Sequence, residues 1–156
     1  MKHIRTVLYA LFLLSPFSVN AADADAIVGT WTTGEGVSKV EISKSGDTYS
    51  GKIVWLKYPT YPTDPANKQY VPGRENQPKV DLKNPDEKLN GRPIIGMELM
   101  QGFKHDSDNL WTGGTIYDPE SGTTYKCKLT LAAPDKLEVR GFVGISLFGR
   151  TTVWTR

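Results

Sequence analysis

Residues 123–131 read Thr-Thr-Tyr-Lys-Cys-Lys-Leu-Thr-Leu, so Tyr125, Cys127, Leu129 and Leu131 alternate with Thr124, Lys126, Lys128 and Thr130. A β-strand sorts such a run into one apolar and one polar face, because successive side chains point to opposite sides; a helix would mix the two. The same period recurs along the chain. Val40 and Ile42 oppose Lys39 and Glu41, and Tyr49, Gly51, Ile53 and Trp55 oppose Ser50 and Lys52. Further on, Ile95, Met97 and Leu99 oppose Glu98, and Leu137, Val139, Gly141 and Val143 oppose Glu138 and Arg140. With residues 27–33, 110–117 and 149–156, the pattern predicts eight strands and almost no helix.

Most of the connections are short and carry turn chemistry: Gly34-Glu35-Gly36, Ser45-Gly46-Asp47, Asp106-Ser107-Asp108-Asn109, Asp118-Pro119-Glu120-Ser121-Gly122 and Pro134-Asp135-Lys136. Short connections make sequential strands antiparallel neighbours. The expected fold is therefore all-β, a single eight-stranded antiparallel up-and-down barrel, since closure removes exposed sheet edges. An open sandwich fits the same patterning and stands as the alternative. The expected inward set is Val40, Ile42, Ile53, Trp55, Ile95, Met97, Leu99, Tyr125, Cys127, Leu129, Leu137 and Val139.

Residues 57–92 break the pattern with six prolines (59, 62, 65, 72, 78 and 85), each lacking the backbone donor that a central strand needs. A short helix from Pro85 to Leu89, capped by Asn84, fits within this stretch. A loop this long in a compact domain is either functional or a surface excursion. On the functional reading it is a lid across one barrel end, with Tyr58, Tyr61 and Tyr70 as packing contacts.

Residues 1–21 have the order of a secretory leader: Lys2, His3 and Arg5, then apolar Val7–Leu14, then Val19-Asn20-Ala21 with a cut expected after Ala21. The apolar run is shorter than the roughly 20 residues a membrane-spanning helix needs. No Cys stands at the cut to carry a lipid. A barrel domain of residues 22–156 in the periplasm or outside the cell is expected. The leader holds two of the 19 Lys and Arg and none of the 17 Asp and Glu, so the remaining chain is near neutral. That balance gives no electrostatic reason to expect a nucleic-acid partner. Cys127 is the sole cysteine and sits on the apolar side of its run, where it reads as a small buried residue.

Gly29-Thr30-Trp31 opens the first strand and Arg156 ends the eighth. In an antiparallel closure these ends adjoin, so Arg156 is expected to stack on Trp31, with Arg140 and Arg150 as fallback partners. Gly29, Trp31 and Arg156 then form a structural closure rather than a ligand site. No Ser–His–Asp spacing, metal-ligand cluster or phosphate-cradling glycine loop is present, so no catalytic residue, metal or cofactor is assigned. Asp118 and Glu120 lie close together but fit hairpin-turn chemistry, and His105 sits in a polar loop.

Gly29-Thr30-Trp31, Gly51-Lys52-Ile53-Val54-Trp55-Leu56, Asn84-Pro85-Asp86, Arg92-Pro93, Trp111-x-Gly-Gly-x-Ile-Tyr-Asp-Pro ending at Pro119, Gly122, Tyr125, Leu137-x-Val-Arg-Gly and Trp154-Thr155-Arg156 together resemble the bacterial exported proteins classed as the domain of unknown function 2147 family. The resemblance covers essentially all of residues 22–156. It implies a lipocalin-like (calycin) barrel and a periplasmic or secreted location, and it implies no established activity. Members often carry two cysteines near the third and last strands; this chain has Ser50 and Gly149 there, so no disulfide is expected.

The leading expectation is a non-catalytic protein that binds or carries a small hydrophobic molecule, such as a fatty acyl chain, in the bacterial cell envelope. Trp55, Ile53, Met97, Leu99, Tyr117, Tyr125, Leu129 and Val139 are the candidate ligand contacts. A filled core is the competing expectation. The protein would then be an envelope interaction module, docking a protein partner through Ile145, Leu147 and Phe148. An enzyme acting on an envelope polymer ranks below both.

Overall fold

The computed structural model describes residues 23–156, and the expected leader falls outside the described residues. The strands are β1 (Gly29–Thr32), β2 (Ser38–Ser45), β3 (Thr48–Leu56), β4 (Glu98–Ser107), β5 (Leu110–Asp118), β6 (Thr123–Ala133), β7 (Lys136–Phe142) and β8 (Arg150–Thr155). Each pairs antiparallel with the next, and β1 pairs with β8, so the sheet closes into an eight-stranded barrel. The open sandwich is thereby excluded. One 3₁₀ turn, Ser146–Phe148, lies between β7 and β8. The expected helix at Pro85–Leu89 is absent; that stretch is bends and turns.

Up-and-down order gives the barrel two ends. The β2–β3, β4–β5 and β6–β7 hairpins gather at one end, together with residues 23–28, which run into β1. This end is closed. Trp31 is fully buried, its indole Nε1 donates to the Ile27 carbonyl at 2.8 Å, and the Arg156 guanidinium carbon lies 4.4 Å from its ring centroid. Arg156 also donates to the carbonyls of Pro134, Val28 and Ala26. The Trp111 indole donates to the Ala24 carbonyl at 3.1 Å, and the Tyr49 hydroxyl to Asp25 at 2.7 Å. The segment before β1 is thus bonded across the base of the barrel.

The paired registers fix which side chains point inward. Trp31, Val40 and Ile53 face each other across β1–β3, and Trp111, Leu129, Val139, Leu137 and Trp154 do so across β5–β8. Phe103 lies over Gly114 on the neighbouring strand, where a Cβ would stand 2.4 Å from its ring. Glycine at 114 is what lets that ring lie flat against β5. All these side chains are buried in one cluster, so the half of the lumen nearer the closed end is solid.

Two sequence expectations fail at bulges. Trp55 pairs with Lys39 rather than Ser38, because the β2–β3 register slips between Lys39 and Val40. One extra residue turns every later side chain to the opposite face. Trp55 therefore lies outside, 41% exposed, with the Lys39 ammonium 5.7 Å from its ring, and Leu56 packs against the core instead. In β4 the inward residues are Met100 and Phe103, not Leu99, and Ile94 is buried where Ile95 is exposed. The strand begins at Glu98 rather than Pro93, and its ladder slips at Leu99, between the Lys52↔Glu98 and Gly51↔Met100 pairs, so Met97 is buried as read while Ile95 and Leu99 are not inward.

Candidate functional site

The opposite end carries the 33–37 turn, the long 57–97 connection, the 119–122 turn and the 143–149 connection. Here the lumen is open. A cup of about 350 Å³ is bounded by Ile116, Asp118, Tyr125, Val139, Gly141, Phe142, Val143, Phe148, Arg150 and Thr152. The registers Ile116↔Tyr125, Gly141↔Arg150 and Val139↔Thr152 put those strand residues on the inner face, while Phe142, paired with Lys126, reaches the rim from the outer face. Val139 forms the floor, directly above the solid core. Gly141 keeps the middle wide: a Cβ there would meet Tyr125 and Ile116 only at ordinary contact distance, 3.6–3.7 Å, so the volume beside it is free. The walls are mainly apolar, and Asp118, Tyr125, Arg150 and Thr152 supply the polar groups.

Of the expected ligand contacts, Tyr125 and Val139 line this cup. Ile53, Met97 and Leu129 are buried in the packed cluster and reach no open volume. Trp55, Leu99 and Tyr117 face away from the lumen. Phe148 and Val143, from the β7–β8 connection, form its lip instead.

Tyr117 pairs with Thr124 on the outer face of the barrel, yet it is buried. What buries it is the long connection. Asp81, with 0% exposure, accepts from the Tyr117 hydroxyl at 2.7 Å, from the Asn84 amide at 2.8 Å and from Arg92 Nε at 3.4 Å. The Arg92 guanidinium also lies 5.6 Å from the Tyr117 ring centroid. Burial, and then the hydrogen bond to Asp81, push the Tyr117 hydroxyl up to about 12. Lys83 Nζ donates to the Glu120 carbonyl at 2.6 Å, and Gly122, at φ +73°, leaves no room for a Cβ beside Lys83.

Residues 81–92 are thus fastened to the outside of β4–β6, and no residue of the 57–97 connection lines the cup. The expected lid is not over the mouth. Tyr58 is exposed, Tyr61 is buried and donates to the Val80 carbonyl, and Tyr70 bonds Glu75. Between this connection and the barrel wall runs a smaller groove of about 180 Å³, bounded by Asn84, Leu89, Arg92, Leu99, Gln101 and Tyr117 among others. Sequence reasoning does not single out Asp81. It is one of five acids in the proline-rich stretch, and its partner lies 36 residues away.

The remaining titratable candidates are held in local structure. Asp118 accepts from the Glu120 amide and the Ser121 hydroxyl within its turn. His105 Nε2 bonds the Asp108 carbonyl at 3.0 Å in the closed-end hairpin, its ring 5.1 Å from that of Trp111. Burial raises the Cys127 thiol to about 12.

Residues 29–156 match the family model described as an uncharacterized protein conserved in bacteria (DUF2147). The chain belongs to this family. As a DUF2147 protein it shares its fold with the solved structure of protein HP1028 from the human pathogen Helicobacter pylori, which belongs to the lipocalin family. The two superpose with a TM-score of 0.65 over 83% of this chain and 81% of that one, at 20% identity. The likeness is one of fold. No curated protein matches the chain significantly.

Proposed function

We propose that this protein is a non-catalytic carrier of a small, largely hydrophobic molecule, such as a fatty acyl chain, held in the open end of its barrel. The observation that carries the reading is the cup above the solid core, mainly apolar on its walls, with polar groups from Asp118, Tyr125, Arg150 and Thr152. Sites for small molecules have that composition, and 350 Å³ lies within their usual size range. Binding would withdraw the ligand's apolar surface from water, while Arg150 and Thr152 meet its polar end. The carriage would take place in the cell envelope or outside the cell, as the leader-like order of residues 1–21 supports. The local bonding of Asp118 and His105 supports a binding role over a catalytic one.

The test is fluorescence titration with the apolar dye N-phenyl-1-naphthylamine, alongside native mass spectrometry of the purified protein. Saturable dye uptake is expected, and the Gly141→Leu variant, whose added side chain fills the cup, should lose it while keeping its melting cooperativity. No uptake by the native chain, or equal uptake by Gly141→Leu, refutes the reading.

A further inference from the structure

The β7–β8 connection, Val143-Gly144-Ile145-Ser146-Leu147-Phe148-Gly149, contains no charged residue. Its four large apolar side chains are the most exposed in the barrel: Val143 71%, Ile145 60%, Leu147 75% and Phe148 80%. The backbone beneath them is held firmly. Arg140 donates from Nε to the Ser146 carbonyl at 2.8 Å, from one terminal nitrogen to the Leu147 carbonyl at 3.2 Å, and from the other to the Thr151 hydroxyl at 2.8 Å. One guanidinium thus pins the turn while its side chains project into solvent. The apolar patch is also continuous with the cup, because Val143 and Phe148 belong to both.

Cations gather at the base of this tip. Lys126 pairs with Phe142 and Lys128 with Arg140, which puts two further cations on the outer face beside the connection, while Arg150, paired with Gly141, faces the cup. None of the three has a carboxylate partner among the described residues. Asp118, which lines the cup, is used within its own turn. A projecting apolar tip beside the outward-facing Lys126 and Lys128 fits the surface of a bilayer, where apolar side chains enter between acyl chains and basic side chains meet anionic headgroups. A protein groove would need an apolar cleft of matching shape, and nothing about the tip's basic base requires one.

The geometry points to the β7–β8 connection as a membrane-docking tip, through which the cup exchanges its apolar ligand with the surface of an anionic lipid bilayer. This rests on the binding reading above and adds the ligand's source. An apolar molecule leaving the bilayer beside Val143 and Phe148 reaches the cup without crossing water, which removes the slowest part of its transfer.

The test places a polarity-sensitive fluorophore at Leu147→Cys, with the same label at Ser45→Cys in the closed-end hairpin as the internal comparison. Buried Cys127 takes up no label. Vesicles of phosphatidylcholine and phosphatidylglycerol should shift the label at 147 to the blue and leave that at 45 unchanged, and vesicles of phosphatidylcholine alone should do so more weakly. Adding Ile145→Asp to the Leu147→Cys chain should weaken vesicle binding about tenfold or more, the scale of withdrawing one aliphatic side chain from apolar burial. That variant should still take up N-phenyl-1-naphthylamine, because Ile145 does not line the cup. No shift at 147, or equal shifts at both positions, overturns the proposal; the first would favour a protein partner at Ile145, Leu147 and Phe148. Tip insertion without dye uptake by the native chain refutes the carrier reading and leaves the membrane contact standing.

Discussion

Replacing Tyr117 with Phe deletes one oxygen and keeps the ring. In the native chain that oxygen donates at 2.7 Å to Asp81, which no water reaches. A hydrogen bond to a charged acceptor is worth about 1.5–3 kcal/mol, and the orphaned carboxylate oxygen has nowhere else to turn. Arg92 and Asn84 remain on the other oxygen, so the charge itself stays compensated. The expected loss is about 2–3 kcal/mol, or roughly 6–10 °C in melting temperature for a domain of this size. Urea unfolding followed by tryptophan fluorescence measures it, with an unchanged m-value showing that the unfolded state is the same. The hydroxyl adds a pH signature. Its folded value, about 12, lies above the ordinary value of 10. The native state therefore favours the protonated form. That contribution is complete below pH 10 and is lost as pH rises through about 12. Tyr49 and Tyr70 are also raised, so the informative quantity is the difference between native and Tyr117→Phe curves, which should shrink above pH 10. A variant within about 0.5 kcal/mol of the native protein, with parallel pH curves, refutes the view that this bond fastens the long connection.

Arg156→Ala should cost about 1–2 kcal/mol in urea unfolding, discounted for the exposure of the guanidinium, with Arg156→Lys recovering only part. Cys127 should resist iodoacetamide at pH 8 in the folded protein and react once urea unfolds it. Gly114→Ala should lower stability by about 1–3 kcal/mol, because the new methyl meets the Phe103 ring at 2.4 Å and a packed core yields little.

Strand identity was legible because one face of the barrel is dry and the other wet, and period two records that difference directly. Residues 123–131 and 137–143 needed nothing more: Cys127, Leu129, Leu137 and Val139 point inward as read. Phase was lost wherever a bulge intervened, at Trp55 and at Leu99, because one unpaired residue changes the face without changing the composition. The site was harder still. Its volume depends on Gly141 and on the distance across the mouth, neither of which leaves a period. The Asp81–Tyr117 contact joins a proline-rich loop to a strand, and sequence spacing does not announce such a pairing.

The seam between β1 and β8 has one paired position, Thr32↔Thr155, where most other strand pairs have several. Much of its closure is delegated to Arg156, whose carbonyl acceptors at Ala26 and Val28 lie 130 and 128 residues earlier. A chain still missing residue 156 holds all seven hairpin-order pairings within reach but lacks the clasp that joins first strand to last. Completion is therefore a late, long-range event, and such contacts form slowly.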